Sequence, residues 1–598
     1  MLRLKCFLLL FLSLQAAQAA QATANPLLVD LAATPANDVL LRVHGHTGLG
    51  NTGLPVAGGF DADGDGHRDF AFAAMRAGPL GRFNAGEVYL IFGDGAVDGT
   101  LDTGVSNADI LTLIGDQIQE NAGSEIWMDD VTGDGRGDLL IARQNFTPDA
   151  TRVGAGALTI VVGDPALRTF AATLADADLR NPPGSLTLTT FWGASEEARL
   201  GIWMRTGDVT GDQIADIVVG ADQTTELGET HRGAIYVIRG GAHLAANQTI
   251  DLEDFGSTAL AGQIARVTPP SSSSHFHFGA TVQLADLDGN DRAEVLAGAV
   301  LNRSGAGLPP LGGASHSNGG SPDGTLFIAW DDNFEGLWPA GYEFEVTSGP
   351  GSYTAIEGAT CNRSFGEEIL GGLDYDGNGL PDLFVGDIVA NCGPQSRSNA
   401  GSGHIFFDAV ALKGQDFDLQ SPPVGLKVTD IYGAAAGDIS SDTAVHGDFD
   451  GDGFADLGIA SPHAMLLGRG NAGAIHILFG KQNWPESLDL AAIPSASVLR
   501  VTEIVGANGD SGGDNGDTLS YSAATGDIDA DGFPDIITNE MVGNGLQPGT
   551  IDVGNLIVLS GHSLAPLPVP SLSRGAVALC LAAMLAGLLL GRRQRVRA

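Results

Sequence analysis

Basic residues are scarce in this sequence, in which 30 Lys and Arg stand against 72 Asp and Glu for a formal net charge of −42. A nucleic-acid partner is not expected, because phosphate binding needs a basic face. The low hydrophobicity that would indicate disorder at such a charge is also absent, since 43% of the residues are hydrophobic. The sequence therefore predicts a folded, acidic protein.

Signatures of common enzymes are missing as well. No HExxH, Gly-rich phosphate loop or CxxC pair occurs. The segment GDSGGD (509–514) resembles the loop around a serine-protease nucleophile, but no motif for a partner His or Asp accompanies Ser511. His275 and His277 alternate along the chain, yet no third ligand for a shared transition metal is apparent. We therefore assign no catalytic residue and no organic cofactor.

What the sequence has in abundance is a nine-residue acidic loop that occurs seven times, at intervals of 69 to 88 residues. Oxygen-bearing side chains recur at positions one, three, five and nine, and position four is Gly in most copies. Alternating Asp and Gly lets a short backbone wrap a hard cation that takes six to eight oxygen ligands, one of them the carbonyl of position seven. Seven copies at near-constant spacing predict a repeat protein with a Ca²⁺ loop in each unit and up to seven ions.

The copies are DADGDGHRD (61–69), DVTGDGRGD (130–138), DVTGDQIAD (208–216), DLDGNDRAE (286–294), DYDGNGLPD (374–382), DFDGDGFAD (448–456) and DIDADGFPD (527–535). The predicted ligands, from positions one, three, five, seven and nine, are Asp61, Asp63, Asp65, His67, Asp69, Asp130, Thr132, Asp134, Arg136, Asp138, Asp208, Thr210, Asp212, Ile214, Asp216, Asp286, Asp288, Asn290, Arg292, Glu294, Asp374, Asp376, Asn378, Leu380, Asp382, Asp448, Asp450, Asp452, Phe454, Asp456, Asp527, Asp529, Asp531, Phe533 and Asp535.

Short runs rich in β-branched and aromatic residues surround each loop, four to a unit. They are typical of strands, and four antiparallel strands per unit predict an all-β fold, a seven-bladed β-propeller. The run LLRVHG (40–45) matches the strand that ends each unit, yet it precedes the first loop, and the seventh unit lacks that strand. We therefore expect the N-terminal strand to complete blade seven and close the ring, which removes open edges. An open solenoid, the alternative, needs capping repeats that the sequence does not show.

These loops resemble the FG-GAP repeats of integrin α-subunit propellers, with FGA (278–280) and FG (365–366) ahead of loops four and five. The resemblance spans roughly 38–561 and implies a calcium-binding propeller. Integrin propellers carry the loop in only some blades and are followed by a thigh-like region that we do not see here, so their adhesion mechanism is not carried over. Departures from the ligand pattern imply weaker sites. They are Thr132 and Thr210 at position three, Asn290 and Asn378 at position five, and Glu294 at position nine.

The two ends of the chain carry targeting signals. Residues 1–20 combine Arg3 and Lys5 with a short apolar run, which predicts a secretory signal peptide. A Pro-rich linker (562–573) leads into a short apolar helix with an Arg-rich tail (574–598), at the lower length limit for a membrane span. This order resembles the bacterial C-terminal sorting signals of the PEP and IPTL type, and a plain tail anchor is the alternative. The resemblance implies export by a Gram-negative bacterium to the cell surface or the medium, with the tail inserted in the membrane or removed.

Two of the four cysteines, Cys361 and Cys392, lie outside those terminal segments. In an oxidising compartment they form a candidate disulfide. If the acidic loops join strands one and two at one face, both cysteines belong to connections at the opposite rim of blade five. Closing this loop would stabilise the fold by ~3 kcal/mol.

For the calcium ions we expect a rigidifying role, because ions that bind only the folded state stabilise it by mass action. The longest insertions, 300–323 and 387–402, lie at the face opposite the metals, and loops on a rigid scaffold commonly carry recognition. We therefore expect a cell-surface or secreted adhesion scaffold that binds a protein or polysaccharide through this face. The alternative is an enzyme that cleaves extracellular glycans with carboxylates in the central channel. A pair of channel-facing acids with a raised pKa would favour the enzyme, and a broad apolar patch on the loop face would favour the binder.

Overall fold

The computed structural model describes residues 25–33, 39–46, 50–93, 99–105, 107–173, 176–225, 231–270, 277–300, 324–511, 514–546 and 552–564. In these residues seven large β-sheets follow one another, each with one acidic loop between its first two strands. The chain is an all-β, seven-bladed propeller, as the sequence predicts. The expected signal peptide (1–20) and apolar tail (574–598) lie outside the described residues, as does most of the expected linker (562–573).

Each blade contains four strands that pair antiparallel, in chain order except that blade seven takes its fourth strand from the N-terminal segment. From blade one to blade seven they are Val56–Phe60, Asp69–Ala74, Glu87–Ile91 and Ile110–Ile114; Ala122–Asp129, Asp138–Arg143, Ala157–Val161 and Leu188–Trp192; Met204–Gly207, Asp216–Ala221, Ala234–Ile238 and Ile264–Thr268; Phe278–Ala285, Glu294–Ala299, Thr325–Ala329 and Tyr353–Glu357; Glu368–Leu373, Asp382–Asp387, Ser402–Phe406 and Val428–Tyr432; Ala444–Gly447, Asp456–Ser461, Ala474–Leu478 and Val501–Val505; and Leu519–Gly526, Asp535–Glu540, Asn555–Leu559 and Val39–His44.

A fifth strand extends every blade, which corrects the prediction of four. It pairs parallel with strand four and comes from the connection between strands three and four of the next unit, as Asp176–Asp178 does on Ile110–Ile114. These strands have only three or four residues, too few to carry a diagnostic pattern, so the free edge of strand four decides the pairing. From blade one to blade seven they are Asp176–Asp178, Gln248–Asp251, Tyr342–Glu345, Asp416–Asp418, Ser487–Asp489, Leu27–Asp30 and Gly99–Asp102.

The N-terminal segment closes the ring twice. Val39–His44 pairs antiparallel with Asn555–Leu559, which confirms the predicted closure of blade seven. The preceding strand, Leu27–Asp30, pairs parallel with Val501–Val505 of blade six. The propeller therefore begins before residue 38, the boundary expected from the sequence, because the four-residue strand is recognisable only by what it pairs with.

Helices are few and short in the described residues. The α-helices are Ala166–Thr173 and Gly561–Leu564, and the 3-10 helices are Pro79–Gly81, Ala242–Leu244, Leu252–Ser257, Asp331–Asn333, Ala409–Leu412 and Leu490–Ala492. A small hairpin pairs Asp510–Ser511 with Asp514–Asn515. Within this part of the chain, no helix has the length and apolarity that a membrane crossing requires.

The hydrophobic core lies between neighbouring blades. The second strand of each blade is buried along its whole length, as in Asp69–Ala74. Val43, Phe72 and Ile537 belong to one buried cluster that joins blades seven and one across the closure. Burial of apolar surface between blades thus holds the ring together and fixes the loops at its two faces.

A Gly just before each third strand lets adjacent blades meet at the level of the backbone. Gly233 has φ of +84°, and a Cβ there would lie 2.2 Å from the carbonyl oxygen of Phe278 in the next blade. A Cβ at Gly156 would lie 2.4 Å from the backbone nitrogen of Leu200. Any side chain at these positions would push the blades apart, which explains the Gly-led strands of the sequence.

Cys361 and Cys392 are joined by a disulfide, with their Cα atoms 5.0 Å apart. Cys361 lies in the connection into blade five, and Cys392 follows the second strand of that blade. Both connections are at the face opposite the acidic loops, which from here on is called the loop face. The bond ties the entry of blade five to the segment 387–402.

Candidate functional site

The first Asp of each acidic loop organises the backbone around it. In loop one, Gly64 and Gly66 donate their backbone N–H groups to the two Asp61 oxygens at 2.6 and 2.8 Å. Both glycines have positive φ, +76° and +93°, which turns successive N–H groups inward. Asp286 and Asp374 accept equivalent bonds in loops four and five. Position one therefore sets the shape of the loop.

The ninth residue fastens the loop to the blade. Asp69, fully buried at the start of the second strand, accepts from the backbone N–H of Ala62 at 2.7 Å and of Gly93 at 2.9 Å. Gly93 lies directly after the third-strand region, so one carboxylate joins the loop to two strands. Asp456 repeats both bonds in blade six. Position nine thus couples the loop to the blade framework.

In five of the loops, the side chains at positions one, three and nine converge. One oxygen from each lies within 4.8 Å of the others, a spacing that fits the coordination of one metal ion. The clusters are Asp61, Asp63 and Asp69; Asp286, Asp288 and Glu294; Asp374, Asp376 and Asp382; Asp448, Asp450 and Asp456; and Asp527, Asp529 and Asp535. Loops two and three have Thr132 and Thr210 at position three and form no such carboxylate triad.

Burial disfavours the charged form of the carboxylate at position nine. It raises the pKa of Asp69 to about 7 and of Asp456 to about 8, and neighbouring loop carboxylates add to the rise while backbone hydrogen bonds oppose it. In loop four, burial and the acids around it raise the pKa of Glu294 to about 8. A cation bound between these groups would favour their charged forms.

Unpaired oxygens in the loops show that the residues present fit a metal ion. Within the described residues, Asp288 Oδ1 and Glu294 Oε1 are buried in the same cluster without a hydrogen-bond partner. Thr210 Oγ1 and Asp527 Oδ1 are buried without a partner in two other loops. A buried oxygen that lacks a donor costs free energy, and an oxygen-seeking cation satisfies it.

The Asp side chains at position five, which the sequence also predicts as ligands, are not part of these clusters. Asp65 Oδ1 accepts from the backbone N–H of His67 at 2.8 Å, and Oδ2 accepts from Arg168 at 2.6 Å. Asp452 accepts from Phe454 N–H at 3.1 Å. The fifth side chain therefore shapes the turn toward position seven. The residues at position seven enter the prediction only through their carbonyl oxygens.

Basic side chains that the sequence analysis missed stand beside the third position of four loops. Lys413 lies 3.3 Å from Asp288, and Arg500 contacts Asp450 in the same way. The remaining pairs are Arg168 with Asp63 at 3.5 Å and Lys427 with Asp376 at 4.0 Å. Arg168 and Lys413 come from the following unit, so no motif within the loop's own unit predicts these contacts. These cations compete with a metal ion for the same carboxylates.

A cavity of about 530 Å³ lies on the propeller axis, lined by the first strands of the blades. Glu125 and Glu368 both line it, so two acids face the channel. Burial raises the pKa of Glu368 to about 8, with Arg205 opposing the rise. Glu125 accepts a hydrogen bond from Arg205 at 2.7 Å and is held in that ion pair.

Neither Ser511 nor His277, the two other features that the sequence presents, lines this cavity. Ser511 sits in the small hairpin opposite Asp514. His277 Nδ1 lies 3.1 Å from Asp222 Oδ2, and its ring centroid is 5.6 Å from that of His231. His275 is outside the described residues.

Comparisons with known proteins agree with this architecture. The chain is 26% identical over 330 residues to integrin alpha-7 of Rattus norvegicus and 26% identical over 329 residues to integrin alpha-7 of Mus musculus. Each match covers 50% of this chain, but only 27% and 26% of those relatives, so the matched part of the chain spans about a quarter of their length.

A more distant likeness is to the crystal structure of the V. cholerae biofilm matrix protein Bap1. It covers 88% of this chain and 91% of that chain at 11% identity and a TM-score of 0.22, which supports no conclusion. A family model described as the FG-GAP repeat matches residues 442–478, which hold the acidic loop and first three strands of blade six. Blade six thus matches the FG-GAP repeat within a ring of seven like blades, and the chain is a seven-bladed β-propeller that is similar over half of its length to integrin alpha chains.

Proposed function

We propose that this chain is an exported, non-enzymatic adhesion scaffold, at the cell surface or secreted, whose blades are rigidified by Ca²⁺. Its loop face binds a protein or polysaccharide. The observation that carries the metal assignment is the set of converging carboxylates with buried, unpartnered oxygens.

Calcium is the ion that these donors favour. The clusters offer carboxylate oxygens only, without the imidazole or thiolate groups that select zinc or copper. Loops of Asp and Gly supply further oxygens from the backbone and accept the irregular geometry of Ca²⁺ more readily than the strict octahedron of Mg²⁺. The ion would neutralise the repulsion between carboxylates at positions one, three and nine and so lock strands one and two together.

Exposed apolar side chains support the loop face as the binding surface. Leu80 and Phe83 of blade one are 68% and 64% exposed, and Met465 and Leu467 of blade six are 68% and 54% exposed. Leu546 in blade seven and Val153 in blade two are 50% and 51% exposed. All follow the second strands and lie on an arc of four consecutive blades. Apolar side chains exposed on neighbouring blades of one face are available for contact with a protein or ligand.

The test of the metal assignment is calorimetric unfolding of the purified chain with calcium and after chelation, with metal content measured on the same samples. We expect at least five ions per chain, one for each carboxylate cluster, and a lower unfolding temperature after chelation. Chelation without effect, or a chain free of calcium, would contradict the assignment.

The loop face is tested by replacing Phe83 and Met465 with Ser and measuring adhesion of the purified chain to bacterial cells and to their extracted polysaccharide. Leu337→Ser is the matched control. Leu337 is 96% exposed, but it lies in the connection after strand three, on the face that carries the acidic loops. We expect the loop-face variant to lose adhesion and the control to keep it. Equal adhesion of both variants would contradict the assignment of this face.

A further inference from the structure

The axial cavity has the size and lining of a small-ligand site. Its volume of about 530 Å³ falls within the range of about 300–1,000 Å³ that such sites occupy. Trp127 and Trp203 contribute partly exposed indole rings from neighbouring blades, and both line the cavity. None of these residues belongs to an acidic loop.

The polar groups between the two rings are held in place. The Arg205 guanidinium lies 4.3 Å from the Trp127 ring centroid and 5.0 Å from that of Trp203. Its Nη1 donates to Glu125 at 2.7 Å and to the Met204 carbonyl at 2.6 Å. Trp127 donates from Nε1 to Thr206 at 2.9 Å. A site whose side chains are fixed in advance loses little conformational entropy when a ligand enters.

The charges of the lining cancel. Arg205 is paired with Glu125, and Arg199 lies 3.7 Å from Asp222. Glu368 is only 4% exposed, and its raised pKa leaves the carboxyl protonated at neutral pH. Burial lowers the pKa of His446 to about 4, so this side chain is neutral as well. A charged ligand would lose its hydration on entering the cavity and would find no unpaired counter-charge there. A neutral ligand rich in hydroxyl groups has no charge to desolvate.

We propose that the axial cavity binds a neutral mono- or disaccharide. The C–H groups of a sugar ring contact those parts of Trp127 and Trp203 that the Arg205 guanidinium leaves uncovered. The hydroxyl oxygens of the sugar accept from the remaining guanidinium protons of Arg205, and a hydroxyl group donates to or accepts from the protonated Glu368 carboxyl. Binding and not cleavage is what the geometry supports, because Glu125 is engaged in its ion pair. The site shares no residue with the acidic loops or with the exposed apolar side chains of the loop face.

The experiment is a titration of the full, calcium-loaded chain followed by tryptophan fluorescence, since Trp127 and Trp203 are two of the six tryptophans. The probes are glucose, galactose, N-acetylglucosamine and their disaccharides. Glucuronic acid and glucosamine present the same ring with a negative or a positive charge. We expect a neutral sugar to bind with a Kd below about 10 mM, and its charged counterpart to bind about tenfold more weakly or not at all.

Two variants separate this site from a general loss of structure. Arg205→Met should weaken sugar binding about tenfold, whereas Arg266→Met should leave it unchanged. Arg266 is the matched control because it too pairs with a glutamate, Glu343 at 2.9 Å, and lies over an aromatic ring, Phe255, outside the cavity. Glu368→Gln keeps a neutral donor and acceptor and should retain binding. Circular dichroism and metal content confirm folding of each variant.

The proposal is overturned if no neutral sugar of the panel binds at about 10 mM, or if a charged sugar binds more tightly than its neutral counterpart. It is also overturned if Arg205→Met binds as the unaltered chain does. A negative result here leaves the calcium content and adhesion of the chain unaffected, so it is distinguishable from failure of the scaffold function.

Discussion

Arg469 of blade six donates through Nη2 to Asp30 at 2.7 Å, although 439 residues separate them in the chain. Asp30 ends the outer strand that the N-terminal segment adds to that blade, and Arg469 Nη1 donates to the carbonyls of Gly506 and Ala507. One arginine thus fastens the outer strand to the loop face. The same arrangement recurs as Arg82–Asp178, Arg152–Asp251 and Arg397–Asp489.

We expect Arg469→Met to destabilise the chain by about 1–3 kcal/mol, because it leaves two carbonyls and a carboxylate without their donor. The measurement is the denaturant midpoint in calcium. Arg180→Met is the control, since Arg180 is half exposed and forms a surface ion pair with Asp116 at 3.0 Å. Equal losses of stability in the two variants would show that the link between Arg469 and Asp30 contributes no more than a surface ion pair.

Substitutions at positions nine and five of the acidic loop of blade six should have different effects on calcium binding. Asp456 belongs to the cluster of blade six and accepts two backbone N–H groups, whereas Asp452 lies outside that cluster. We expect Asp456→Asn to lose one calcium ion and about 1–3 kcal/mol of stability, and Asp452→Asn to keep the ion. Metal content and calorimetry decide the matter. Loss of the ion in Asp452→Asn would contradict this expectation and confirm position five as a ligand, as the sequence predicts.

Loops two and three should gain affinity from one substitution each. Thr132→Asp and Thr210→Asp place a carboxylate where the other five loops have one. More carboxylate ligands strengthen a calcium site, so the double variant should bind two ions more tightly than the unaltered chain in a calcium titration. Binding that stays the same would mean that these loops are shaped too differently to hold an ion.

Removing a competing cation should also tighten calcium binding. Arg500 contacts Asp450 and lies 3.2 Å from Asp452. Arg500→Gln should raise the affinity of that loop about fivefold, since a unit charge near 4 Å is worth ~1 kcal/mol in water. Arg266→Gln makes the same change of net charge away from the loops and should have little effect. A lower affinity in Arg500→Gln would mean that the arginine supports the metal-bound form.

The metal-free chain should lose stability as the pH rises. Burial raises the pKa of Asp69 to about 7 and of Asp456 to about 8 from an ordinary value of 3.8. Stability from a raised carboxyl pKa is fully present below the unfolded value and is lost as the pH rises through the folded value. Unfolding of the chelated chain should therefore occur at a lower denaturant concentration at about pH 8 than at about pH 5. Calcium should reduce or reverse this difference, and an identical trend with the ion present would contradict its binding to these groups.

The sequence was most informative where the interacting groups are close along the chain. Asp61, Asp63 and Asp69 converge within nine residues, because alternating Asp and Gly with positive φ folds a loop locally. The same locality made most of the main strands recognisable, but the run 343–349 was wrongly taken for the fourth strand of blade four, which is Tyr353–Glu357. Locality also let the missing strand of blade seven be found in Val39–His44, because that strand carries the apolar pattern of its equivalents.

Contacts between residues that are far apart in the chain could not be predicted from local patterns. No motif near Asp63 predicts its contact with Arg168, which lies 105 residues later. The composition of Asp176–Asp178 does not indicate a strand. Trp127, Trp203 and Glu368 come from three units and share no motif.

The acidic loops, most of the main strands and the closure of a seven-bladed ring could be predicted, because they follow from the local spacing of Asp, Gly and apolar residues. The outer strands, the arginine links such as Arg469 to Asp30, and the lining of the axial cavity became visible only in the folded chain. These depend on side chains and strand edges that meet when the ring closes, and their contacts are set by packing between units rather than by any pattern within one.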